Sequence, residues 1–157
     1  MERNDYLKML VEEMHSTTMA TIGADGHPQT RVIDMMLWDK KGVYFLTAKG
    51  KAFYAQLMEQ GYVAISATKD KKAVSLRGRI QNIHSEKLDE IFEKNPYMQK
   101  IYPGDTRAAL EVFRVYEDEG EYFDITRIPA VIDQHQCLHC GRCAETCPRG
   151  TIRKRGQ

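Results

Sequence analysis

The chain has 157 residues and a mass near that of one ordinary domain, with 29% charged residues but a net charge of only +1. One main domain with its own core and a short appendage is the expected organisation. So balanced a charge gives no global field for nucleic acid or an anionic membrane. No apolar run approaches the ~18 residues of a spanning helix, and "MERNDYLKML" lacks a signal peptide's apolar segment. A cytoplasmic location follows as an expectation.

In chain order, residues 5–15 place Tyr6, Leu7, Leu10, Val11 and Met14 on one helical face, predicting an opening amphipathic helix. Short β-rich runs follow: "TTMATIG" to residue 23, "QTRVIDMML" to 37 and "GVYFLT" to 47, separated by "ADGHP" and "WDKKG" and reading as a meander. "KAFYAQLMEQ" puts Phe53, Tyr54, Leu57 and Met58 on one stripe, and Gly61 stands where a helix stops. "YVAISAT" and "AVSLRGRI" read as strands joined by "KDKK", and "SEKLDEIFEKN" as a helix capped by Ser85 with Leu88, Ile91 and Phe92 facing inward. "LEVFRVYEDEGEYFDIT" suggests a hairpin closed around Glu119 and Gly120. Some seven strands broken by three helices do not alternate as in a doubly wound sheet. The expected class is mainly β with peripheral helices, a small antiparallel barrel.

All four cysteines lie in "CLHCGRCAETCP", spaced C-x2-C-x2-C-x3-C-P through Cys137, Cys140, Cys143 and Cys147. Thiolates are soft ligands, and three at steps of three let one loop fold around a cluster corner, so the run points to a 4Fe-4S cluster. Zinc is the lesser alternative, because structural zinc sites usually draw two cysteine pairs from opposite sides of a loop. "AVIDQHQCLHCGRCAETCPRGTI" resembles one half of a bacterial ferredoxin. In two-cluster ferredoxins the fourth cysteine of such a run ligates the other cluster. With one run here, Cys147 either returns to its own cluster, serves the cluster of a second subunit, or is replaced as ligand; His135 and His139 are near enough in sequence to be considered. The domains expected are 1–127 for the barrel and 128–157 for the iron–sulfur tail.

"HPQTRVIDMML", "VYFLTAKGKAFYAQL", "VSLRGRI" and "ALEVFRVYEDEGEYFDI", in that order and spacing, resemble the pyridoxamine phosphate oxidase-like family of FMN-binding split barrels. The resemblance implies a homodimer of six-stranded split barrels with FMN held between subunits. It puts the phosphate clamp on Arg31, Thr47, Lys49 and Lys51, the backbone of Val32, Ile33 and Asp34 along the isoalloxazine edge, and Leu46 and Ala48 beside it. Those residue types suit a phosphate: a guanidinium forks onto its oxygens, ammonium groups add charge, a hydroxyl donates once more, and a helix N-terminus follows. Read alone, "KGK" is a solvated turn before it is a binding site. Arg77 and Arg79 share a strand face and are either cross-strand partners or functional; Met35, Met36 and Trp38 read as core before groove lining. His15, His27 and His84 read as surface or capping residues.

A pyridoxamine phosphate oxidase proper ends in an arginine-rich, tryptophan-containing segment, which the cysteine tail replaces, so vitamin-making activity is not expected. The leading expectation is an FMN-dependent oxidoreductase of flavin reductase or nitroreductase kind, passing electrons between a 4Fe-4S cluster and FMN to a small organic acceptor. A ferredoxin-type protein is the expected redox partner: Arg142 and Arg149 ease cluster reduction, and Arg153, Lys154 and Arg155 offer positive charge for docking. Two readings stand beside it: an electron carrier without a substrate of its own, and a nonredox flavin-binding or sensor protein whose metal only orders the tail.

Overall fold

In the computed structural model the chain divides into two units, Met1–Asp124 and Ile125–Gln157, and the structure describes residues 2–124. The four cysteines, His135, His139 and the basic C-terminal cluster therefore lie outside the described residues. Among the described residues no helix is long and apolar enough to cross a membrane.

Seven strands form one antiparallel sheet: β1 (Ser16–Ile22), β2 (Pro28–Asp34), β3 (Leu37–Asp39), β4 (Gly42–Ala48), β5 (Tyr62–Lys69), β6 (Lys72–Asn82) and β7 (Leu110–Asp124). The mainly β class expected from the sequence is what the structure has. Strict alternation makes β5 a one-faced strand, with Val63, Ile65 and Ala67 inward and their neighbours exposed. The unbroken "GVYFLT" instead buries β4 on both faces. Val43 and Phe45 join the main core with Met19, Phe53, Leu57, Phe113 and Val115; Tyr44 and Leu46 join a second core with Ile91, Phe92 and Val112.

The strand order β2-β1-β5-β6-β7-β4-β3 is not the meander expected for the first strands. β1 and β2 do pair as a hairpin, from Ser16↔Asp34 to Ile22↔Pro28, but β4 leaves them and pairs with β7. The run 29–37 breaks because Met35 and Met36 turn away: Met35 N–H donates to His15 O at 2.8 Å and Met36 N–H to Tyr44 O at 2.8 Å. Each then buries its side chain in a different core.

The other large correction is β7. "YEDEGEY" reads as a turn, yet the strand runs through it, because β6 pairs along its whole length from Lys72↔Asp124 to Asn82↔Phe113. Gly120 supplies a close approach and not a reversal: a Cβ there would lie 2.4 Å from Ser75 O. The irregularity falls instead at a bulge between Arg77 and Arg79, opposite a bend at Glu117 with φ 47°.

The opening helix is α1 (Arg3–Lys8) followed by a π-helical turn, Met9–Met14, where one uniform helix was expected. Its apolar stripe holds, with Leu7 and Leu10 fully buried. Helix α2 (Ala52–Gln60) ends at Gly61, whose φ of 62° is left-handed. Helix α3 (Leu88–Lys94) begins later than expected: Lys87, at φ 63°, precedes it, so Ser85 is not its cap. Ile91 and Phe92 do face inward. A short α4 (Met98–Ile101) follows.

Candidate functional site

Two charges, the half-buried Arg31 and the buried Glu111, reach helix α2 from different strands. Arg31 lies on β2, and its guanidinium carbon stands 4.2 Å from the centre of the Phe53 ring, in the first turn of α2. Its Nη1 donates to Thr21 Oγ1 at 2.9 Å and Gln56 Oε1 at 3.1 Å, and Nη2 reaches Gln29 Oε1 at 3.5 Å. All three acceptors are neutral. Among the described residues no carboxylate forms an ion pair with Arg31, although burial pulls its pKa below the ordinary value. A guanidinium kept charged by its chemistry and held only by neutral oxygens has unspent attraction for an anion.

The helix beside it has the same tendency. Lys51 occupies the N-cap of α2 with no side-chain cap, so the first N–H groups of the helix are not satisfied by a side chain. Lys51 is exposed and has no ion pair among the described residues. Thr47, 5% exposed, and Leu46, 9% exposed, end β4 just before Lys49, and Ala48 is half-buried. Thus Arg31 and Lys51 stand at one helix end. Their donor set fits a phosphate: one guanidinium without a counter-anion, one free ammonium and one uncapped helix N-terminus. Of the remaining positions, Val32 is 70% exposed, while Ile33 and Asp34 are half-buried.

Lys49 is differently placed. Its Nζ lies 3.6 Å from Glu111 Oε1, so part of its charge is already answered. Glu111 was not singled out by the sequence and is the second of these charges. Tyr54 Oη donates to its Oε2 at 2.6 Å, Asn82 Nδ2 donates to the same oxygen, and His84 Nδ1 lies 3.3 Å from Oε1. Hydrogen bonds from Tyr54 and then Asn82 hold its carboxyl down at about 2, well below the usual carboxylate range. The phenol of Tyr54 is pushed up by the same contact. A sequence signal existed: Glu111 shares the period-2 face of β7 with Phe113 and Val115, both in the main core.

The remaining expectations sort plainly. Arg77 pairs across the strands with Glu119 at 2.7 Å and Arg79 with Glu117 at 3.4 Å, all well exposed, which is the cross-strand reading. Met35 and Met36 are core, and Trp38 Nε1 donates to Glu12 Oε1 at 2.8 Å. His27 and His84 are exposed, each beside a carboxylate (Asp25 at 3.5 Å and Glu111 at 3.3 Å), and the half-buried His15 meets Tyr97 Oη at 2.8 Å. Among the described residues no cluster of three or more His, Cys, Asp or Glu is arranged for a metal ion.

Comparison with known proteins agrees with this division of the chain. Residues 4–124 match the family model described as pyridoxamine 5'-phosphate oxidase, and residues 129–152 match a 4Fe-4S binding domain. A pyridoxine/pyridoxamine 5'-phosphate oxidase of Burkholderia multivorans is 27% identical over 118 residues, covering 69% of this chain and 55% of that protein. The chain spans about half the length of the curated relatives it matches. Among solved structures, a NimC/NimA family protein from Clostridium acetobutylicum superposes with a TM-score of 0.69 at 19% identity, covering 80% of this chain and 90% of that one. A protein related to general stress protein 26, also from Clostridium acetobutylicum, gives 0.59 at 17% identity, covering 80% and 98%. These two likenesses concern the fold alone. On the match over residues 4–124, this chain belongs to the pyridoxamine 5'-phosphate oxidase family of split barrels.

Proposed function

We propose that this protein is an FMN-dependent redox protein in which a 4Fe-4S cluster on Cys137, Cys140, Cys143 and Cys147 exchanges electrons with FMN. The reduced flavin then reduces a small organic acceptor such as a nitroaromatic or quinone-like compound. The observation that carries this reading is that one chain joins a barrel of a flavin-binding family to a four-cysteine run matching a 4Fe-4S binding domain. A cluster passes one electron at a time, while a flavin accepts one or two, so the pair converts single-electron supply into two-electron chemistry.

In this reading Arg31, Lys51, Thr47 and the α2 N-terminus hold the FMN phosphate, with Lys49 contributing less because Glu111 already engages it. Leu46, Ala48 and the backbone at Val32, Ile33 and Asp34 border the ring. A second copy of the chain completes the groove. The outer face of β2, β1, β5 and β6 supports this pairing: short side chains at Thr18, Ala20, Thr30, Ala64 and Ser66 line a concavity of about 460 Å³ together with the charged Arg77, Glu119 and Glu121, with Val32 exposed beside Thr18. The proposed location is the cytoplasm, and a ferredoxin-type protein is the proposed electron partner.

The test is analysis of protein purified without oxygen. The account expects about one FMN and about four irons with matching sulfide per chain. It further expects Cys140→Ser to lose the iron while keeping the flavin. Zinc in place of iron, or a fold that collapses when the cysteines are replaced while flavin chemistry survives in the intact protein, would favour a merely structural metal.

A further inference from the structure

His15 stands where two departures from regular backbone meet. The π-helical turn Met9–Met14 closes with His15 N–H donating to Leu10 O at 2.8 Å, and His15 itself has φ 61° and ψ −66°. L-residues rarely enter that region and remain there only when their surroundings hold them. Here the hold is visible, since the His15 carbonyl accepts from Met35 N–H at 2.8 Å at the end of β2. π-Helical turns and strained residues both concentrate at functional sites.

The side chain so held joins two others. His15 Nε2 lies 2.8 Å from Tyr97 Oη, with the two rings edge to face at 5.9 Å. Tyr97 Oη donates toward Asp34 Oδ2 at 3.4 Å, and His15 Nε2 is 3.7 Å from that same oxygen. Ser16 Oγ donates to Asp34 Oδ1 at 2.5 Å, fixing the carboxylate. The side chains of His15 and Asp34 are each one-third exposed, so the cluster has contact with solvent. Neighbouring charges are engaged elsewhere: Glu12 with Trp38 and Lys8, Glu13 with Lys72, and Lys69 with the Glu13 carbonyl.

We propose that His15, Tyr97 and Asp34 form a proton relay serving a quinone-like acceptor at the flavin edge. The proposal rests on the reading above, in which the Asp34 backbone borders the ring. Reduction of a quinone consumes two electrons and two protons; bound reduced FMN would supply both electrons with one proton, as a hydride equivalent, which leaves one proton for this chain's residues to deliver. The second proton leaves Tyr97 Oη for the acceptor oxygen while the proton on His15 Nε2 moves onto the same Tyr97 oxygen. The imidazole, left neutral, regains its proton from water, which reaches the one-third exposed side chain. Burial, and then the Asp34 charge, push the Tyr97 phenol up to about 12. Tyr97 alone is therefore a poor acid near neutrality, which is why simultaneous replacement from His15 matters.

The experiment compares wild type, His15→Gln and Tyr97→Phe, loaded with FMN, reduced without oxygen and mixed with menadione across a pH series. Wild type should react more slowly as pH rises; both variants should lose about tenfold or more at neutral pH and most of that pH dependence, with FMN affinity unchanged. A second readout needs no flavin: Tyr97→Phe should move the His15 ring-nitrogen NMR resonance of the flavin-free protein. Wild-type rates and pH profiles in both FMN-loaded variants would overturn the relay while leaving the flavin reading intact. An unmoved resonance would overturn it too. Protein that takes up no FMN would overturn both.

Discussion

Arg31, half-buried, and Glu111, buried, are two charges set against the same helix, and they differ in how completely the protein answers them. Glu111 receives Tyr54 and Asn82 on one oxygen and faces His84 and Lys49 on the other, so its charge is met on both sides. Among the described residues Arg31 has only the neutral oxygens of Thr21, Gln56 and Gln29 as hydrogen-bond acceptors. A saturated charge ties elements together; an unsaturated one is available to a ligand. The contrast separates residues that hold this barrel together from residues that equip it to bind.

If that division is right, Glu111→Ala should be the most damaging single change, costing about 3 kcal/mol by stranding Tyr54 and Asn82 without their acceptor. Urea unfolding measures it, and a loss under about 1 kcal/mol would dissolve the distinction. The same carboxylate makes an acid prediction. Because folding lowers its pKa from 4.5 to about 2, its contribution is complete above the unfolded value and disappears as pH falls from 4.5 toward 2. Wild type should lose roughly 2–3 kcal/mol over that window, and Glu111→Gln should lack that part of the decline. Arg31→Met should behave in the opposite manner, weakening FMN binding about 30-fold while leaving unfolding nearly unchanged. Isothermal titration with FMN and with riboflavin reads it, since only the phosphate-bearing ligand should respond. Least affected should be Arg77→Ala, which breaks an exposed pair with Glu119 and should shift stability by no more than ~0.5 kcal/mol.

Much of this was legible in the sequence for physical reasons that can be named. The six-residue run "GVYFLT" read as a strand, and Gly61 marked a helix end because a left-handed cap was needed there. Arg31 was singled out through the family resemblance, and its residue type suits a phosphate. What was missed depends on pairing between distant segments. "YEDEGEY" contains turn-forming residues, and only β6 lying beside it keeps it extended. The break at Met35 and Met36 is set by His15 and Tyr44, distant residues that supply the acceptors. The cluster of His15, Asp34 and Tyr97 gathers residues separated by up to 82 positions, and local periodicity carries no trace of it.

The central claim is that the cysteine run and the barrel work as one redox device, and rapid-mixing spectroscopy tests it directly. Oxidised protein carrying both cofactors is mixed with reduced ferredoxin in the absence of oxygen, beside Cys140→Ser with FMN restored. The account predicts bleaching of the cluster before the flavin in the wild type, and flavin reduction slowed at least tenfold in the variant. Flavin reduction equally fast in the two proteins would contradict it.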